Sequence, residues 1–191
     1  MPAIRNCLLA LLLLGPAVAP AVEVGGANLP DSATVERTPL PLNGVGVRSK
    51  FFVKVYAAAL YLPAPAREFD AVLALRGPKR LLMHFVHDRV ERDKLVEAWR
   101  EGFAANTAAA QLPALQARID TFNGWFDTLV AGDEVVLDLL ADGSTRVTIR
   151  DQLRGTIPGV DFQRALLAIW LGEHPADASL KRGLLGQDKR S

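Results

Sequence analysis

Residues 42–62, with the sequence LNGVGVRSKFFVKVYAAALYL, decide how this chain folds. Residues 50–62 are apolar or small at nearly every position, and Phe51 and Phe52 begin this run. Such a pattern predicts one β-strand that is covered on both of its faces. Gly44-Val45-Gly46 precedes the strand and predicts a bend that lies close to another backbone. The stretch therefore predicts two neighbouring extended segments.

Arg48 stands between these segments and is the first candidate binding residue. A guanidinium next to an apolar strand needs an acceptor, which an internal aspartate or a bound carboxylate, enolate or phenolate can provide. If the segments pair as strands, Lys54 and Tyr56 lie within its reach. Residues 57–59 are all alanine, so either a helix packs tightly over Ala58 and its neighbours or a ligand cavity forms there. A surface salt bridge is the alternative role for Arg48.

The remaining sequence alternates between the periods of strands and helices. Extended segments are predicted over residues 35–47, as two short strands around a turn, and over residues 79–87, 135–140, 145–150 and 152–157. Helices are predicted over residues 66–75, 91–103, 112–126, 162–171, with Asp161 as cap, and 177–185. This order predicts an α+β fold in which antiparallel meanders form the sheet and the helices cluster on one face.

The N-terminus has the pattern of a secretory signal peptide over residues 1–21. Arg5 supplies the positive start, a leucine-rich run follows, and Ala19-Pro20-Ala21 forms a small-residue cleavage site. The only cysteine, Cys7, lies inside this segment, so the exported form has no thiol and no disulfide. The sequence predicts export to the periplasm and a single domain over residues 22–191.

Charge and hydropathy exclude several classes of function. The chain has 22 Lys and Arg against 21 Asp and Glu, and removal of residues 1–21 takes away one Arg and no acidic residue. This balance suggests neither nucleic acid nor anionic lipid as a partner. The leucine-rich run is too short to span a bilayer, and no later stretch is long enough without charges, so no integral membrane segment is predicted.

No metal site and no cofactor are predicted. His84 and His87 are three residues apart on a predicted strand and face opposite ways, and His174 has no carboxylate pair in suitable register. Aromatic residues at helical spacings are expected in the core, and not in a ligand cage; they are Trp99, Phe103, Phe122, Trp125, Phe126 and Trp170.

Three segments in order resemble the chalcone isomerase superfamily, specifically its secreted bacterial chalcone isomerase-like branch. They are Gly46-Val47-Arg48 ahead of the strand that ends in ALYL at residues 59–62, KLVEAWR at residues 94–100, and the run from Phe162 through LGEHP at residues 171–175 to SLK at residues 179–181. The resemblance covers almost all of the chain after residue 21. It implies an open-faced β-sandwich, in which helices are layered on one side of a large antiparallel sheet and a ligand cleft lies between them.

Within this resemblance, Arg48 matches the arginine of the family's site. In the plant enzymes that arginine stabilises a phenolate or enolate during an intramolecular oxa-Michael ring closure, and in related non-enzymatic members it binds a fatty-acid carboxylate. Tyr56 stands where the enzymes carry a threonine, and His87 and Lys94 stand where they carry a tyrosine and an asparagine. These departures remove the hydroxyl and amide network that positions a chalcone.

Three functions follow as expectations. The first is binding of a small apolar ligand with an anionic head, such as a fatty acid, in which Arg48 pairs with the head and Tyr56 donates a hydrogen bond. Further ligand-binding candidates are Lys54, Ala58 and Lys94. The second is an isomerase or intramolecular lyase that acts on a chalcone-like enone, in which Arg48 stabilises the developing oxyanion, His87 is the general base and Tyr56 is a further catalytic candidate. The third is a non-catalytic interaction module.

Overall fold

The structure is a computed structural model that describes residues 21–188. The predicted signal peptide lies outside the described residues except for Ala21, where the first strand begins. The strands in this range are β1 (Ala21–Val24), β2 (Ala27–Pro30), β3 (Ser32–Val35), β4 (Thr38–Lys50), β5 (Val53–Tyr61), β6 (Lys79–Phe85), β7 (Arg89–Val90), β8 (Leu129–Val130), β9 (Glu134–Leu139), β10 (Thr145–Ile149) and β11 (Gln152–Ile157). The helices are α1 (Phe69–Ala74), α2 (Arg92–Asn106), α3 (Leu112–Gly124), α4 (Val160–Leu171) and α5 (Ala178–Leu184). None of these helices is long and apolar enough to cross a bilayer.

Seven strands form one sheet in the order β11-β10-β9-β6-β5-β4-β3. Every neighbouring pair in it is antiparallel. Short turns join β4 to β5, β9 to β10 and β10 to β11, and such turns can only connect antiparallel neighbours. The β1-β2 hairpin lies outside this sheet, and so does the two-stranded pair of β7 and β8, which are separated in the chain by α2 and α3. The predicted α+β class and the large antiparallel sheet with helices are confirmed.

The two faces of β5 pack against different layers, as its unbroken apolar run predicts. Tyr56, Ala58 and Leu60 face the helices and belong to the larger core. Ala57 and Ala59 face the other way and join a smaller core, to which the β1-β2 hairpin contributes. The helix-side core contains most of the aromatic residues expected there, namely Trp99, Phe103, Phe122, Phe126 and Trp170, with Trp125 partly buried against it.

β4 differs from the two short strands predicted over residues 35–47, because it is one strand of 13 residues. Pro39 and Pro41 lie in the part of β4 that pairs with the edge strand β3. The pairing with β5 then begins at Leu42 and shifts register before Gly44. Since prolines are tolerated near sheet edges and irregularities, they do not end the strand here.

Two further predictions about element ends were wrong. Phe51 and Phe52 are not strand residues but form the turn between β4 and β5, with Lys50 paired to Val53 across it. The sequence pattern concealed this turn because neither residue is a usual turn former. The cap of α4 is Gly159, and Asp161 lies in the first helical turn, where its carboxylate accepts hydrogen bonds from both terminal nitrogens of the Arg118 guanidinium.

The glycines of β4 lie against α5, which decides between a helix and a cavity over residues 57–59. A Cβ on Gly44 would clash with the carbonyl oxygen of Gly183, and one on Gly46 would lie 3.2 Å from Cα of Leu180. Gly46 pairs with Ala58, which is fully buried. The predicted close approach to another backbone is therefore confirmed, and a helix, with no cavity, covers this part of the sheet.

Candidate functional site

A cleft of about 600 Å³ opens between the sheet and α2, beside the part covered by α5. Cavities of roughly 300–1,000 Å³ are typical of small-molecule sites. Apolar side chains form most of its walls: Phe51, Val53, Val55, Val90, Leu95, Ala98, Trp99, Ala105, Ile169 and Ala176. The polar residues at the cleft are Arg48, Lys50, Tyr56, His87, Arg89, Glu91, Lys94, Glu101 and His174. The cleft is thus a trough whose exposed wall surface is mostly apolar, with these nine polar residues along it.

Arg48 lies directly opposite Tyr56 on the neighbouring strand. Directly opposed residues of an antiparallel pair project from the same face, so both side chains point toward the helices. The Arg48 side chain is 23 % exposed. Within residues 21–188 it donates one hydrogen bond, from Nη1 to the Ser49 carbonyl oxygen at 2.8 Å. A guanidinium has five N–H donors, so most of its hydrogen-bonding capacity remains available to a ligand.

Asp177 is the ion-pair partner of Arg48, but the pair is long, with 3.8 Å between Nη1 and Oδ2. The carboxylate is already occupied as the N-cap of α5, where Oδ1 accepts from the backbone N–H groups of Ser179 and Leu180 at 2.8 and 3.0 Å. Its Oδ2 accepts from the Ser49 N–H at 3.2 Å. Burial alone raises the pKa of Asp177, but these hydrogen bonds together hold that pKa below its usual value. Asp177 therefore stays ionised and offsets the charge of Arg48, but it leaves most of the guanidinium N–H donors free.

Tyr56 presents a phenol whose proton is available. Its oxygen accepts a hydrogen bond of 2.9 Å from Nε1 of Trp170 in α4, and an indole N–H can only donate. The ring is held against Phe85, with 5.4 Å between the ring centroids. Burial raises the pKa of Tyr56 to about 12, even though the Trp170 hydrogen bond and the Arg48 charge both lower it. The side chain is therefore a neutral, fixed hydrogen-bond donor beside the Arg48 cation.

Basic residues outnumber acidic ones around the cleft. Lys50, Arg89 and Lys94 join Arg48 along its lining, against the carboxylates of Glu91 and Glu101. Arg89 pairs with Glu91, and Lys94, which is largely exposed, donates to Glu97 at 2.9 Å. Arg48 is thus the basic residue with the least exposed position, and it lies beside the buried Tyr56.

The structure brings together four of the six site residues that the sequence singles out. Arg48, Tyr56, His87 and Lys94 line the cleft. Lys54 is exposed outside the cleft lining, and Ala58 is buried beneath α5 without reaching the cleft. These two residues are therefore not retained in the site.

Sequence reasoning missed three residues that shape the site. Asp177 has the Asp-x-Ser pattern of a helix cap, but its approach to Arg48 depends on tertiary packing that no local pattern reveals. Trp170 and Trp99 were expected only as core residues. Trp99 also lines the cleft, and its indole N–H is buried with no hydrogen-bond partner among residues 21–188.

The fold and the cleft together correspond to one class, an antiparallel sheet with a ligand cleft under a helical layer. The chain belongs to the chalcone isomerase-like family, whose family model matches residues 21–186. Among solved structures, it is similar to the crystal structure of a fatty-acid binding protein from Arabidopsis thaliana, with a TM-score of 0.68 and 17% sequence identity over 87% of this chain and 96% of that one. No curated protein matches the sequence.

Proposed function

We propose that this protein binds a fatty acid or a similar small amphiphile in the cleft. The anionic head lies against Arg48 and the Tyr56 hydroxyl, and the hydrocarbon chain lies between β5 and α2. The main support for this proposal is the Arg48–Tyr56 pair. Arg48 is a cation with free hydrogen-bond donors, and Tyr56 beside it is a neutral donor held in place by Trp170. Both residues line a trough with mostly apolar walls.

The head-group chemistry matches a carboxylate. A carboxylate accepts hydrogen bonds from a guanidinium and a phenol at once, and charge-assisted hydrogen bonds are stronger than neutral ones. A phenol with a pKa of about 12 does not ionise near neutral pH, so it donates to the anion and does not repel it. The long Asp177 contact leaves Arg48 free enough to exchange its internal partner for the ligand.

The walls match an apolar chain. Leu95, Trp99 and Ile169 are buried core residues that also line the cleft, so they form an apolar floor beneath it. Gly102 keeps α2 close to α4, since a Cβ there would lie 2.8 Å from Cγ2 of Ile169. Burial of apolar ligand surface contributes about 0.8 kcal/mol for each methylene group. The name of the Arabidopsis neighbour, a fatty-acid binding protein, supports the same class of ligand.

The two alternative functions have less support. An enone isomerase needs a general base near the reacting carbon. The high pKa of Tyr56 makes its hydroxyl a hydrogen-bond donor at neutral pH, so His87 is the only general base among the catalytic candidates predicted from the sequence. An interaction module without a ligand would be favoured by a cleft filled with side chains, whereas this cleft is open. We place the protein in the secreted bacterial branch of the family and in the periplasm, on the strength of the signal-peptide pattern in residues 1–21.

Displacement of a fluorescent fatty acid by palmitate and by hexadecanol tests the proposal. Palmitate is expected to displace the probe better than hexadecanol, and Arg48→Gln is expected to weaken palmitate binding by about 10- to 150-fold, which corresponds to about 1.5–3 kcal/mol for a charge-assisted hydrogen bond. Arg146→Gln is the matched control, because Arg146 lies on the same sheet away from the cleft and also makes one long ion pair, of 3.6 Å to Glu36. Equal binding by wild type and Arg48→Gln would refute the proposal.

A further inference from the structure

The turn between β4 and β5 exposes two phenylalanines. Phe51 is 85 % exposed, Phe52 is fully exposed, and Val53 next to them is also exposed. Other exposed large apolar residues in the described part of the chain, such as Leu153 and Val160, are far apart in sequence and do not form such a run. Exposed apolar side chains that are contiguous indicate an interaction surface.

The backbone of this turn is strained without an internal reason. Phe51 and Phe52 have φ angles of 48° and 67°, in the left-handed region that Asn and Gly favour in two-residue hairpin turns. Arg150 and Asp151 form a similar turn between β10 and β11, with φ angles of 53° and 60°. There the strain has an internal role, because Nη2 of Arg150 lies 2.9 Å from the Asp133 carboxylate. The exposed phenylalanines have no comparable contact within residues 21–188.

The surroundings of the turn favour a lipid surface over a protein partner. Lys50 and Lys54 flank the two phenylalanines and are both exposed, which suits anionic headgroups on either side of an inserted apolar tip. The exposed apolar tip consists of only the two turn residues and Val53, which offer much less surface than the roughly 800 Å² that a stable protein interface buries on each partner. Phe51 also lines the mouth of the cleft. Insertion of the tip therefore places the cleft opening at the lipid surface.

The geometry points to a membrane-docking hairpin: residues 50–54 insert Phe51 and Phe52 into the headgroup region of a lipid bilayer, so that an amphiphile passes directly between the bilayer and the cleft. This inference rests on the proposed function for the identity of what is transferred. The balanced charge of the whole chain suggested no anionic lipid as a partner, but it does not describe the tip, where Lys50 and Lys54 are both exposed. Phe51 and Phe52 are therefore the main contributors to binding, and the lysine pair adds a local preference for anionic lipid.

Cosedimentation with phospholipid vesicles that contain no fatty acid tests whether the hairpin binds membranes. The purified protein is mixed with pure phosphatidylcholine vesicles and with mixed phosphatidylcholine and phosphatidylglycerol vesicles. Wild type is expected to bind both and to prefer the mixed vesicles. Phe52→Ser, which does not alter the cleft lining, is expected to lower the partition coefficient about tenfold. Leu153→Ser is the control for an exposed apolar residue elsewhere, since Leu153 is 63 % exposed, and it is expected to bind as wild type does. The double variant Lys50→Gln, Lys54→Gln is expected to lose the preference for phosphatidylglycerol.

The outcomes separate this inference from the proposed function. Wild-type protein that fails to bind either kind of vesicle, or Phe52→Ser that binds as wild type does, overturns the membrane role. A dimer that forms without vesicles and is lost in Phe52→Ser, as measured by sedimentation, would overturn the membrane role and indicate self-association. Fatty-acid binding is measured separately in solution without vesicles, where Phe52→Ser is expected to match wild type. Vesicle binding that depends on Phe52 in a protein that binds no fatty acid would refute the proposed function alone.

Discussion

Replacement of the exposed turn by Phe51→Asn and Phe52→Gly is expected to stabilise the protein. The φ angles of 48° and 67° place both residues in the left-handed region, which disfavours ordinary L-residues by roughly 1–2 kcal/mol each. Asn relieves part of this strain and Gly relieves nearly all of it. Neither phenylalanine ring is buried, so little packing is lost. The expected gain is about 1–2 kcal/mol, which raises Tm by about 2–8 °C in a domain of this size.

Urea and thermal unfolding measure this gain, and the turn at Arg150 and Asp151 provides the control. The matching change Arg150→Asn, Asp151→Gly relieves similar φ angles but removes the Arg150 contacts to Asp133 and to the Thr128 carbonyl oxygen. It is therefore expected to give no net gain. A Phe51→Asn, Phe52→Gly variant that is no more stable than wild type would refute the claim of strain. A variant that is more stable and has also lost vesicle binding would show that the turn is kept for its surface.

Three further predictions follow from the site and the core. Gly44→Ala is expected to destabilise the protein by about 2–3 kcal/mol in urea unfolding, because the added Cβ would collide with the backbone of α5. Gly124 has open space around it, so the control Gly124→Ala is expected to change the stability by less than about 1 kcal/mol. Asp177→Asn keeps the helix cap but removes the negative charge that competes with the ligand carboxylate for Arg48. Calorimetry is therefore expected to show roughly fivefold tighter palmitate binding, and unchanged or weaker binding would contradict this competition. The pKa of Tyr56 is raised from 10.0 to about 12 in the folded protein, so its stabilising effect is fully present well below pH 10 and is lost as the pH rises through 12. Tyr56→Phe is therefore expected to show a smaller fall in unfolding free energy between pH 10 and 12, by roughly 2 kcal/mol, and parallel curves would contradict the raised pKa.

The sequence predicted the fold class because the hydrophobic periods of the main elements are strong. The unbroken apolar run of β5 and the helical stripe with Trp99 and Phe103 in α2 both correspond to buried elements. The predictions from the sequence were wrong where tertiary contacts override the local conformational preference of the residues. β4 continues through Pro39 and Pro41 because its partner strand changes there, and Phe51 occupies a turn that its side chain does not favour.

The site was predictable only in part, for the same reason. Arg48 and Tyr56 could be paired because they lie on strands joined by a short turn. Asp177 and Trp170 come from helices far along the chain, and their distances to Arg48 and Tyr56 depend on how α4 and α5 pack on the sheet. Ala58 looked like a cavity residue from its size alone, but α5 fills the space above it.

The most direct test of the proposed function is a crystal structure of the protein with bound palmitate. One carboxylate oxygen is expected to lie about 2.8 Å from an Arg48 nitrogen, and the other within hydrogen-bonding distance of the Tyr56 hydroxyl. The hydrocarbon chain is expected to contact Leu95, Trp99 and Ile169 along the cleft. Palmitate bound with its carboxylate away from Arg48, or bound outside the cleft, would contradict the proposed function.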